Sequence, residues 1–175
     1  VYKRQGLMLR FRDPRRFGSL HWSKNPLSHP LLKKLGPEPL GDAFDGDYLW
    51  RKSRGRTVSV KQFIMNAHIV VGVGNIYASE SLFMAGINPR RAAGRIALHR
   101  YDALADAIRD VLTRAIKAGG TTLRDFYGGD GEAGYFRQQL EAYGREDEPC
   151  RRCNTPITAI VQGQRATYYC RKCQT

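Results

Sequence analysis

Cysteine is scarce in this sequence: four in 175 residues, all of them in two short pairs, Cys150/Cys153 and Cys170/Cys173. That scarcity excludes the disulfide-dense scaffolds of small secreted domains, and thiols used only as metal ligands suit a reducing compartment. Acid is also in short supply, with 16 Asp and Glu against 29 Lys and Arg, for a formal charge of +13 and a pI near 10.0. An imbalance of this size favours polyanionic partners, nucleic acid first and an anionic membrane surface second. No apolar run approaches the roughly 18 residues that a spanning helix needs, so nothing is expected to span a bilayer, and nucleic acid rather than a membrane is the expected partner. Internal repeats are missing apart from the paired cysteines.

What is present is most specific at the C-terminus. Cys150-Arg151-Arg152-Cys153 and Cys170-Arg171-Lys172-Cys173 are two C-x2-C pairs separated by sixteen residues, the spacing of a four-thiolate zinc site. Two residues between cysteines let a tight turn aim both sulfurs at one tetrahedral ion, and a second such turn completes the coordination. Two disulfides would need a more cysteine-rich chain, and a thioredoxin-like motif explains one pair but not two. Four protein ligands close the site, so one structural Zn2+ is expected and no metal catalysis. Ligation would change the charge to +13 − 4 + 2 = +11, still strongly basic. Between the pairs, 155–161, the turn Gln162-Gly163-Gln164 and 165–169 read as strand, turn, strand. Arg145, Arg151, Arg152, Arg165, Arg171 and Lys172 make this ribbon basic.

Upstream, Leu7, Leu9 and Phe11 alternate over 7–12 as in a strand, 13–16 reads as a turn, and 17–22 as a second strand. A lone hairpin is marginal in water, so residues 1–22 are expected to be the tail of a larger β domain. Residues 23–46 carry four prolines and three glycines and read as a linker or irregular wrap. A short helix is expected over 47–54, and Ser59 is a plausible cap for a helix over 60–66. Gly72-Val73-Gly74-Asn75 reads as a tight turn, with Asn75 capping a helix over 76–85. Leu98, Tyr101, Ala105, Ile108, Leu112 and Ala115 recur at helical spacing over 98–118, and Gly119-Gly120 ends the run. The glycine-rich stretch 119–134 reads as a functional loop.

Two stretches carry chemistry with two readings each. Gly72–Asn75 at a helix start offers backbone N–H groups to a phosphate, or is simply a glycine turn between helices. Asp13-Pro14-Arg15-Arg16-Phe17 sets an aromatic beside two guanidiniums, either as a wedge that unstacks bases or as a hairpin with Phe17 in a core.

Taken together, Asp13–Gly18, Leu35-Gly36-Pro37-Glu38-Pro39-Leu40, 71–80 (VGVGNIYASE), Gly119-Gly120-Thr121-Thr122 and 164–170 (QRATYYC) resemble bacterial formamidopyrimidine-DNA glycosylases, in that family's order. The resemblance implies an α+β fold: the remnant β-hairpin of an N-terminal β-sandwich (1–22), a linker (23–46), a mainly helical helix–two-turn–helix domain (47–144) and a four-cysteine zinc finger (145–175). It implies an enzyme acting on 8-oxoguanine and formamidopyrimidines in double-stranded DNA, which flips the damaged nucleotide out, hydrolyses its glycosidic bond and cleaves the abasic site by β,δ-elimination. By position, Arg15 and Phe17 match residues that fill the hole left by the extruded base, and Arg56, Lys61 and Asn75 match phosphate contacts. Thr121, Thr122 and Arg124 match the loop over the flipped base. Arg165 matches the catalytic residue that grips phosphates around the lesion. Arg hardly deprotonates, so stabilising the leaving phosphate suits it better than donating a proton.

One departure stands out. The resemblance implies an N-terminal proline nucleophile followed by glutamate, and here residues 1 and 2 are Val and Tyr. The expectation is therefore a C-terminal portion that binds DNA weakly and catalyses nothing by itself, its parent a monomeric bacterial cytoplasmic repair enzyme. The alternatives are an endonuclease VIII-type glycosylase for oxidised pyrimidines, which the 13–17 tip argues against, and a non-catalytic DNA-binding zinc module.

Overall fold

The computed structural model describes residues 2–4, 7–9, 11, 13, 16–120 and 136–175. They fall into two units, Val1–Lys34 and Leu35–Thr175.

In the first unit, strand β1 (Tyr2–Arg4) pairs antiparallel with β2 (Leu7–Leu9), Tyr2 opposite Leu9 and Arg4 opposite Leu7. The strand expected at 17–22 does not form; the backbone there is irregular. Asp13 is the cause. Its carboxylate accepts from the N–H groups of Arg16, at 3.1 Å, and Gly18, and Arg16 turns into the left-handed region at φ 59°. Such side-chain-to-backbone bonds compete with a β ladder. Phe17 projects from this turn and is 89% exposed. A single 3-10 turn, Pro26–Ser28, follows.

Among the described residues, the second unit is built from four α-helices and a ribbon. Residues 35–45 form an irregular wrap that is fastened down rather than loose. Gly36 N donates to Ala67 O at 2.8 Å, and a Cβ at Gly36 would overlap the backbone of Ile69. The Arg109 guanidinium donates to the carbonyls of Pro39, Gly41 and Phe44, and the Phe44 ring is fully buried. Helix α1 (Gly46–Ser53) starts at Asp45, whose carboxylate accepts from Tyr48 N at 2.6 Å. Helix α2 (Val60–Ile64) starts at Ser59, whose hydroxyl accepts from Gln62 N. These side-chain caps satisfy N–H groups that a helix start leaves unpaired.

Helix α3 spans Asn75–Met84, with Gly74 as its cap residue and no capping side chain. Asn75 is therefore the first helical residue, not the cap expected from the sequence. The reason is the backbone: Gly74 is extended and its carbonyl accepts from Ala78 N at 2.8 Å, closing the first turn one residue early. Helix α4 (Leu98–Lys117) buries Tyr101, Ala105, Ile108, Leu112 and Ala115 of the stripe read from the sequence and Leu104 and Val111 besides, while Leu98 is 40% exposed. Val60, Phe63, Ile64, Ala78, Leu82, Ile87, Tyr101, Leu104 and Ile108 share one core. Beyond α4, Phe136 N donates to Gly120 O at 3.3 Å, and the Phe136 ring is buried against Val111, Ala115 and Leu140. Strands β3 (Thr158–Gln162) and β4 (Arg165–Tyr169) form the expected antiparallel ribbon, Gln162 opposite Arg165.

Helix α3 is buried from Ala78 through Phe83, with one side in the main core and Phe83 on the other, packed against Cys150, Ile157 and Cys170. It is thus the wall that the helical body and the ribbon share.

Where α1 meets α4, Gly46 has no room for a side chain: a Cβ there would overlap the Asp102 backbone. Gly46→Ala should lower stability by about 1–3 kcal/mol through overpacking. Thermal unfolding checks this, and an unchanged midpoint would show that the two helices are not in fixed contact.

Candidate functional site

The ribbon brings its four cysteines together. Cys150 Sγ lies 3.9 Å from Cys173 Sγ and Cys153 Sγ lies 3.4 Å from Cys170 Sγ; all four sulfurs are within 4.8 Å of one another. Sulfurs at about 2.3 Å from a tetrahedral zinc stand about 3.8 Å apart, so the cluster has the size of the ion's shell. Disulfides would need about 2.05 Å, and all four thiols are free. Backbone N–H groups already point at the sulfurs, Arg152 N to Cys150 Sγ at 3.5 Å and Cys173 N to Cys170 Sγ at 3.4 Å. Four thiols this close cannot all ionise without a cation. The side chain and backbone of Thr155 hold the Cys153 thiol down to about 6, and contact with Cys153, then burial, pushes Cys173 up to about 12. A dication among four thiolates resolves that conflict, and with four protein ligands it has no open position for catalysis.

The knuckles are bolted to α3. Gln174, 1% exposed, accepts from Cys170 N at 2.8 Å and donates to Ile87 O at 2.9 Å. The Arg152 guanidinium donates to Phe83 O at 3.2 Å and stacks on the Phe83 ring, 4.5 Å from its centroid. Glu80, inside α3, is 5% exposed and accepts from three consecutive backbone N–H groups: Glu141 at 2.8 Å, Ala142 at 3.0 Å and Tyr143 at 2.8 Å. Burial pushes its carboxyl up, and the three donors oppose that shift. This carboxylate places the strap that enters the first knuckle. Sequence reading missed Glu80 and Tyr143, because each acts through a partner more than sixty positions away.

The residues expected to meet DNA are placed as follows. Asn75 opens α3 beside Gly72 and Gly74, where a Cβ would meet nothing within 4 Å. Its Nδ2 donates to Tyr143 Oη at 3.4 Å, while its Oδ1 is buried without a hydrogen-bond partner. Tyr143 in turn stands edge-on to Tyr168 of β4 with ring centroids 5.0 Å apart, so α3, strap and ribbon converge here. Arg165 is exposed at the start of β4, and Arg56 is exposed just before α2. Phe17 is exposed in the other unit, with Asp13 shaping its turn. Arg15, Thr121, Thr122 and Arg124 lie outside the described residues.

Lys61 departs from expectation. Its side chain turns inward, is 1% exposed, and donates to Ala166 O at 2.9 Å and Thr167 Oγ1 at 2.8 Å in β4. Ammonium donors committed to a strand at this depth do not face a phosphate, so the structure gives Lys61 a task inside the protein. The physical reason is that α2 packs under the ribbon, and a lysine stem is long enough to cross that contact.

These features define a helix–two-turn–helix protein carrying a structural zinc ribbon. Residues 35–127 match the family model "Formamidopyrimidine-DNA glycosylase H2TH domain", and residues 147–175 match "Zinc finger found in FPG and IleRS". The chain belongs to the formamidopyrimidine-DNA glycosylase family. A relative named formamidopyrimidine-DNA glycosylase from Pseudomonas putida is 59% identical over 169 residues, 97% of this chain and 63% of the relative. One of the same name from Acidithiobacillus ferrooxidans is 60% identical over 168 residues, 96% of this chain and 62% of the relative. Among solved structures, the MutM (FPG) protein of Thermus thermophilus superposes with a TM-score of 0.83 at 37% identity, covering 93% of this chain and 62% of that one. Lactococcus lactis Fpg in complex with abasic-site DNA gives 0.76 at 35% identity, covering 83% and 53%. The chain thus spans slightly under two thirds of the length of its curated relatives.

Two outcomes follow. Elemental analysis should find one zinc per chain, and Cys170→Ser or strong chelation should release it and unfold the ribbon while circular dichroism retains most of the α1–α4 signal; absence of metal with two disulfides by mass spectrometry would end this assignment. Burial lowers the Lys61 ammonium from its ordinary 10.5 to about 8. Between about pH 8 and 10.5 the unfolded chain then holds this proton more firmly than the folded one, so this group's contribution to stability rises with pH across that window. Denaturant midpoints for wild type and Lys61→Met at pH 7.5 and 9.5 should diverge in the wild type's favour as pH rises. A gap that does not change with pH would contradict the shift.

Proposed function

We propose that this chain supplies the DNA-gripping portion of a base-excision repair glycosylase with abasic-site lyase activity, acting on 8-oxoguanine and formamidopyrimidines in double-stranded DNA. The observation that carries this reading is membership of the glycosylase family across both the helical body and the zinc ribbon. It is supported by relatives crystallised with abasic-site and Fapy-dG DNA, and by the formal charge of +13.

The residues divide the work by chemistry. Arg165 offers a rigid donor fork to phosphate oxygens beside the lesion, stabilising the phosphate that leaves in δ-elimination. Asn75, at the N-terminus of α3, presents its unpaired amide atom beside an open glycine turn. If the amide's O and N are exchanged, the Tyr143 hydroxyl is the donor to Oδ1 and an N–H is left for a phosphate oxygen. Arg56 adds a further phosphate contact. Phe17 and Arg15 fill the space behind the extruded base, and Thr121, Thr122 and Arg124 belong to the loop over it. A target base is unreachable inside the stack, so such a wedge offsets part of the unstacking cost, on the order of a few kcal/mol per step.

The test rests on Phe17. In a protein extended to the relatives' full length, Phe17→Ala should slow 8-oxoguanine excision from duplex DNA. It should spare cleavage at a preformed abasic site and leave the melting temperature nearly unchanged, because the ring is 89% exposed. A core phenylalanine would instead cost about 3–5 kcal/mol and depress every activity together. That uniform loss would remove the wedge role.

A further inference from the structure

Arg165 stands at the start of β4 with an exposed side chain, one residue beyond a turn. A two-stranded ribbon is a weak frame by itself. Beyond the packing of the ribbon on α3, α2 reaches it on both flanks of Arg165. On the C-terminal flank, Lys61 Nζ donates to Ala166 O at 2.9 Å and to Thr167 Oγ1 at 2.8 Å. On the N-terminal flank, Gly163, at φ 53°, is close enough to α2 that a Cβ there would stand 2.5 Å from Gln62 Nε2. Gln162, opposite Arg165 in the ladder, donates through its side chain to Pro89 O at 3.4 Å.

The clamp has a firm base. Val60 N donates to Arg91 O at 2.7 Å, Ser59 caps the helix, and Val60, Phe63 and Ile64 lie in the main core. Lys61 and Gln62 are adjacent in sequence, so they leave neighbouring faces of α2 and reach the two sides of one ribbon turn. Hydrogen bonds from an ionised donor are stronger than neutral ones, and in a buried setting they are directional enough to fix a strand's position.

We propose that Lys61 and Gln62 form a clamp that fixes Arg165 over the helical body, with Lys61 a positioning residue acting through Ala166 and Thr167. The proposal rests on reading Arg165 as the residue that grips phosphate. An arginine on a swinging ribbon loses the freedom of that ribbon each time it binds; one on a clamped ribbon has lost it already, and binds more tightly for the same contact.

The experiment uses the zinc-loaded 175-residue chain, Lys61→Met, Arg165→Ala and the double variant, each titrated with a duplex containing one abasic site. Each single change should weaken binding by about tenfold. The double variant should be within about twofold of Arg165→Ala, since both act on one contact. Losses that multiply to about a hundredfold would overturn the proposal, because Lys61 would then act independently of Arg165. If Arg165→Ala alone changes nothing, the phosphate role of Arg165 is wrong, and the clamp is judged without DNA. Lys61→Met, and more mildly the shape-conserving Thr167→Val, should speed amide hydrogen exchange at Ala166 and Thr167 while α4 stays protected. Unchanged exchange at those two amides would overturn the clamp whatever Arg165 does.

Discussion

A ribbon of two five-residue strands cannot keep water out by itself, and most of this chain's architecture answers that constraint. The four thiolates gather around a metal whose binding supplies folding energy, on the order of 10–16 kcal/mol in zinc-finger peptides. The ribbon then leans on α3, which gives up its solvent face at Phe83 to Cys150, Ile157 and Cys170. Helix α3 is consequently apolar or small nearly all round, as a helix between two packed layers must be. Its one deeply buried charge, Glu80, is matched by three backbone donors rather than by a cation. Burying an unmatched carboxylate there would cost far more than any packing at that position returns.

Polar groups set the position of nearly every irregular stretch. Arg109 holds the wrap through carbonyl oxygens, Glu80 holds the strap through N–H groups, and Lys61 and Gln174 tie the ribbon to the helices. Each is a side chain bonded to backbone. The apolar core decides that the helices pack; these bonds decide where the segments between them lie. Under the proposed function the site meets a rigid phosphate lattice, and the second decision is then the one that tunes geometry.

What was legible in the sequence was what is local. The C-x2-C spacing declares its chemistry within four residues, and α4 declares its buried stripe through the 3.6-residue period. Ser59 stands beside the N–H group it caps. Lys61 was misjudged for the opposite reason: its acceptors lie 105 and 106 positions away, and an isolated lysine on a short helix reads as surface charge. Asn75 was misplaced by one residue, because Gly74 closes the first turn through its carbonyl, which no side-chain pattern reveals. The strand expected at 17–22 left out of account Asp13, whose short carboxylate captures two N–H groups before a ladder can.

The bond from Phe136 N to Gly120 O has a consequence for how this protein can change over generations. It brings the two ends of a fifteen-residue segment together within the body, so the body is closed irrespective of what lies between. The entropy of closing a longer segment grows only with the logarithm of its length, about 0.6 kcal/mol per doubling. A change in the length of that segment therefore costs the described body little in closure entropy.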